Sequence, residues 1–75
     1  MTIAEMNSPV AENITKISNE KGLKQYFIAE KSGINWKTYS DMLNGRCIIK
    51  PFQIYAIADA LGVTVNEVFG LGAVQ

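Results

Sequence analysis

Four glycines divide this chain into short stretches, and that punctuation limits the fold more than any other feature. Val10, Ile14 and Ile17 recur at helical spacing, which predicts a first helix from about Pro9 or Val10 to Lys21, closed by Gly22 after a lysine. A second segment, Gln25 to Ser32, contains Ile28 and Ala29 without a helix breaker and meets Gly33. Asn35 is a good N-cap for a third helix from Trp36 to about Leu43, with Asn44-Gly45 as a left-handed exit. Pro51 suits the first turn of a fourth helix, where its missing N–H is not needed. Ile54, Ile57, Ala58 and Leu61 form its apolar stripe, and Gly62 ends it. Thr64 and Glu67 have the spacing of a capping box that opens a short fifth helix to Phe69.

No stretch alternates as a strand would, and no internal repeat is present, so the expected fold is all-α with five helices and short connections. Seventy-five residues make one small domain. It is expected over residues 10–70, between a flexible N-terminal segment at 1–9 and a C-terminal tail at 71–75. Isoleucines at 14, 17, 28, 34, 54 and 57, with Leu61, suffice for a small core and argue against disorder.

Composition narrows the function. Cys47 is alone, so no intramolecular disulfide and no cysteine metal cluster can form, which suits a reducing compartment. No apolar run reaches the roughly 18 to 20 residues of a membrane span, and MTIAEMNSPVAEN lacks a signal peptide's basic start and apolar centre. A cytoplasmic protein is expected. With no histidine, no serine beside a visible base, no glycine-rich phosphate loop and no clustered carboxylates, an enzyme is not expected. Nor is a metal, a cofactor or a small-molecule ligand.

The net charge of zero conceals an asymmetry. Residues 24–50 carry Lys24, Lys31, Lys37, Arg46 and Lys50 against Glu30 and Asp41, a balance of +3. Residues 1–23 stand at −1 and residues 51–75 at −2. A polyanion would respond to the local field around the third helix rather than to the total. That helix, within GINWKTYSDMLNG, also holds the most varied hydrogen-bonding side chains of the chain.

Two short helices joined by a tight turn with glycine, the second lined with polar side chains, fit the description of a helix-turn-helix. The parts are Gln25 to Ser32, the turn Gly33-Ile34-Asn35, and Trp36 to Leu43. From about Ile14 to Gly70 the chain resembles the Cro and phage-repressor (XRE) family of DNA-binding domains. The resemblance rests on EKGLKQ from Glu20, AEKSGI from Ala29, Asn44-Gly45, and ALGVTVNEVFG from Ala60 in combination. It implies a five-helix lambda-repressor-like fold whose third helix enters the major groove of double-stranded DNA, with homodimers usual.

The resemblance also implies roles. Trp36, Lys37 and Asp41 match positions that most often read base edges, with Ser40 between them. Gln25 matches the glutamine that touches a backbone phosphate and supports the recognition helix. Asn35, Asn44 and Arg46 match backbone-contacting positions, and Lys24, Thr38 and Lys50 join them as expected backbone contacts. Lys24 stands where the family prefers a Ser or Thr cap, Ser32 stands where a core leucine is usual, and the proline usually found near residue 49 is shifted to Pro51.

Two residues keep two readings each. Trp36 shares a helical stripe with Tyr39 and Leu43, so packing and base contact are equally open. Asp41 can accept from cytosine N4 or pair with Lys37 four residues earlier. In the last third, Phe52, Val65, Phe69, Leu71 and Val74 exceed what two short helices need to bury, which points to a dimer surface. The expectation is a DNA-binding regulator, a repressor or control protein. The zero net charge leaves one alternative, a protein-interaction module of the same fold, antitoxin-like or an antirepressor partner.

Overall fold

The computed structural model describes residues 2–71, which form six helices and no strand. They are α1 (Ile3–Asn7), α2 (Val10–Lys21), α3 (Gln25–Ser32), α4 (Trp36–Leu43), α5 (Pro51–Leu61) and α6 (Val65–Val68). The five expected helices are α2 to α6.

The sequence carries no sign of α1, which lies inside the stretch expected to be flexible. Five residues are too few to sustain a helix in water by propensity. A tertiary anchor holds its end. Asn7 is 3% exposed. Its Nδ2 donates to the carbonyls of Met42 and Cys47, both at 2.9 Å, and its Oδ1 accepts from Ile49 N–H at 3.1 Å. One side chain thus satisfies backbone groups at the end of α4 and along the connector to α5.

The helix ends follow the local chemistry. Gly33 adopts φ +75°, and the next N–H, of Ile34, returns to the Ala29 carbonyl at 2.9 Å. Only glycine reaches that conformation without penalty, so α3 stops here and the chain turns sharply into α4. Thr64 Oγ1 accepts from Glu67 N–H at 3.2 Å while Thr64 N–H donates to Glu67 Oε1 at 3.1 Å, which completes the expected box. At α5 the Lys50 N–H is taken by Gln53 Oε1 at 2.8 Å.

The core is one cluster in which α3 packs chiefly on α5, while α4 rests on α2 and α3. Ile14, Ile28, Tyr39, Met42, Ile57 and Val68 are fully enclosed, and Ile17, Ile34 and Leu43 pack around them. Ala29 is buried in the helix that crosses α5, where a small side chain lets the two backbones approach.

Candidate nucleic-acid interface

α4 divides its side chains by helical period. Tyr39 and Met42 point inward and are fully buried, whereas Trp36, Lys37 and Asn44 are exposed and Ser40 and Asp41 partly so. That outward set follows i, i+1, i+4, i+5 and i+8, one stripe of an α-helix.

Both ends of the stripe are held. Asn35 Oδ1 accepts from Lys37 N–H at 2.9 Å, which caps the start of α4. Asn44 Nδ2 donates to Ser40 O at 2.9 Å and lies 3.3 Å from Ser40 Oγ. Asp41 serves two cations at once. Lys37 Nζ and Arg46 Nη1 each stand 3.6 Å from one of its carboxylate oxygens. The Lys37 side chain is 84% exposed and that of Asp41 only 23%, so the carboxylate sits low while the ammonium reaches into solvent. Such exposed pairs add little stability, and a phosphate can compete for either cation.

The inner face sets the pose. Tyr39 Oη donates to Gln25 Oε1 at 2.9 Å, and the buried Ser18 hydroxyl, bonded to Ile14 O at 2.7 Å, lies 3.4 Å from the same oxygen. The single Ser18 proton goes to Ile14 O, so the Gln25 oxygen is held by the Tyr39 hydroxyl, and the Gln25 amide nitrogen is left to donate to an outside acceptor. Burial pushes the Tyr39 phenol well above its ordinary range, so it stays a neutral donor. Sequence reasoning finds Tyr39 as core but not its hydrogen bond, because the distance in sequence to Gln25 says nothing of where its hydroxyl ends.

Trp36 is 44% exposed, partly packed and partly open to solvent. Its ring lies 6.2 Å from that of Tyr39, nearly parallel, and 5.6 Å from that of Tyr26 at a tilt of 51°. Part of the indole is therefore packed and part faces outward with Lys37.

The remaining candidate residues fall in separate places. Lys24 and Lys50 are exposed, each just before a helix, α3 and α5 respectively. Thr38 is half-buried and shares a cleft of about 280 Å³ with Asn35 and Phe52. Phe52 is thus beside the turn of the helix-turn-helix. Val65 and Phe69 line a different, smaller cleft of about 110 Å³ with Ile54 and Tyr55. Phe52, Tyr55, Phe69 and Leu71 are exposed, and Val65 is half-buried. Tyr55 lies off the Ile54, Ile57, Ala58 and Leu61 stripe, so helical period alone turns it outward. Val74 lies outside the described residues.

A tight αL turn between two helices, the second bolted down on one face and polar on the other, defines a helix-turn-helix DNA-binding domain. A family model described as helix-turn-helix matches residues 14–68. The chain belongs to the Cro and phage-repressor (XRE) helix-turn-helix family, whose members are DNA-binding regulators. Comparison with curated proteins and with solved structures gives no match. Among the described residues no helix is long and apolar enough to cross a membrane.

Proposed function

We propose that this protein is a sequence-specific transcriptional regulator of the cytoplasm, a repressor or control protein, that reads an operator with α4 in the major groove. The supporting observation is the division of α4: Tyr39 and Met42 lock its inner face while Trp36, Lys37, Ser40 and Asp41 face outward. Lys37 donates to guanine O6 and N7, and Ser40 serves as donor or acceptor. Asp41 holds Lys37 and Arg46 in place and accepts from cytosine N4 where one is presented. Gln25, Asn35, Thr38, Asn44 and Arg46, with Lys24 and Lys50, contact the sugar-phosphate backbone and so set register rather than sequence.

The regulator acts as a homodimer. Tyr55, Phe69 and Leu71 expose apolar surface beside Val65, and this region supplies a self-complementary contact, with Val74 joining it. Phe52, over the turn, borders that region through Pro51. A two-fold dimer places its recognition helices in half-sites about one turn, roughly 34 Å, apart, and occupying the operator blocks transcription sterically.

The exposed apolar side chains of α5 and of the segment after α6 equally favour a second reading, a protein-interaction module that binds a different chain and little DNA. Selection of duplexes from a random pool, followed by a salt titration of the winner, separates the two. The regulator enriches a two-fold symmetric site whose affinity falls steeply with salt, as counterions are released. Absence of any enriched, salt-sensitive duplex would leave only the interaction module.

A further inference from the structure

The outward stripe of α4 is polar except at its first residue. There the exposed part of Trp36 meets Tyr26, and the two rings open onto a small cleft of about 150 Å³ lined also by Ala29, Ile34 and Glu30. The two rings, Ala29 and Ile34 give the cleft its apolar walls, and Glu30 is among the groups that give it a polar side. Tyr39, fully buried, backs the indole in a near-parallel stack. That stack limits the freedom the indole has left to lose on binding.

Resting on the reading of α4 as the recognition helix, we propose that this cleft is a subsite for the C5-methyl group of a thymine. The first residues of a recognition helix are those that reach base edges. In the major groove those edges present hydrogen-bond donors and acceptors, and the thymine methyl is their one apolar group. An aromatic wall at that point of the helix matches the methyl and leaves the polar edges of the other bases unanswered. Glu30, exposed at the rim, repels phosphate and so turns the cleft from the backbone towards a neutral base edge. Trp36 and Tyr26 are then specificity-determining residues, and each half-site carries a thymine next to the base pair read by Lys37.

The test uses the full chain and the duplex enriched from a random pool, with each thymine replaced in turn by deoxyuridine, which deletes only the methyl. One position per half-site is expected to lose about three- to five-fold in affinity, the worth of one buried methyl. Trp36→Gln and, independently, Tyr26→Ser should bind thymine and uracil duplexes alike while keeping the wild-type salt dependence. Tyr26 is more than half exposed, so its variant separates recognition from folding. Equal wild-type affinity for every thymine and uracil pair overturns the subsite and leaves the regulator standing. Discrimination that survives in both variants assigns the methyl contact elsewhere. A pool from which no duplex is enriched overturns the regulator and the subsite together.

Discussion

The hydroxyl of Tyr39 donates to Gln25 Oε1 at 2.9 Å, so the middle of α4 is tied to the first residue of α3. This bond links the core to the interface. It ties α4 to α3 and occupies the Gln25 oxygen, so that only the amide nitrogen is left to donate.

Tyr39→Phe keeps the ring and removes the bond. It is expected to cost about 1 kcal/mol of stability, the net worth of one such hydrogen bond. Duplex affinity should fall by a similar factor on all sequences, because Gln25 is no longer aimed at a phosphate. In a Gln25→Ala background the same substitution should leave affinity unchanged. Denaturant unfolding and a double-mutant cycle of binding measure both; additive losses would disconnect Tyr39 from the phosphate contact.

The same burial makes stability depend on alkaline pH. The folded phenol is raised above its ordinary value near 10, so the unfolded chain ionises first and binds fewer protons. This contribution is fully present below about pH 10 and is lost as pH rises towards the folded value. Unfolding free energies followed upward from about pH 9 should decline more steeply in the wild type than in Tyr39→Phe.

Asn7→Ala removes three hydrogen bonds to the backbone around the end of α4. The Cys47 carbonyl and the Ile49 N–H lose the Asn7 side chain, while the Met42 carbonyl keeps the Gly45 N–H at 3.3 Å; the expected loss is about 2 to 4 kcal/mol. Hydrogen exchange should speed up at Ile49, whose N–H the Asn7 oxygen holds. Wild-type stability in this variant would show that α1 carries no weight in the fold.

Three substitutions divide the charged cluster. Asp41→Asn frees Lys37 and Arg46 from a shared carboxylate and removes one negative charge, so binding to arbitrary duplexes should tighten and its salt slope steepen. Lys37→Ala should cost ~1 to 3 kcal/mol and relax preference at one or two base pairs. Arg46→Ala should weaken every sequence alike. Fluorescence anisotropy on selected and scrambled duplexes reads all three; an unchanged Lys37→Ala would remove it from base reading.

Leu71→Glu with Tyr55→Lys places charges in the exposed apolar region formed by α5 and the segment after α6. Sedimentation velocity is expected to show a dimer for the wild type and a monomer for this variant, with loss of cooperative binding to the two-fold site. A variant that still sediments as a dimer would move the interface to another face.

The backbone pattern was readable because it rests on near-neighbour chemistry. Gly33 after Ser32, Asn35 before Trp36 and Thr64 before Glu67 act on carbonyls and N–H groups within a turn of themselves, and the structure realises all three. The all-α fold and the helix-turn-helix followed from them. α1 did not, since its anchor reaches 35 to 42 residues along the chain.

The candidate interface was half legible. Period 3.6 separates Tyr39 and Met42 from Lys37 and Ser40 without coordinates, but leaves Trp36 on the stripe of Tyr39. It cannot say that Asp41 is shared between Lys37 and Arg46, or that Tyr26 on α3 meets Trp36 on α4. By itself the sequence determined where helices begin, end and turn, and which stripe of each is apolar, because those depend on residues a few positions apart. Only the tertiary structure decided which hydroxyl orients Gln25, which ring backs Trp36 and what holds the first helix, because each of those contacts joins residues that only the packed chain brings together.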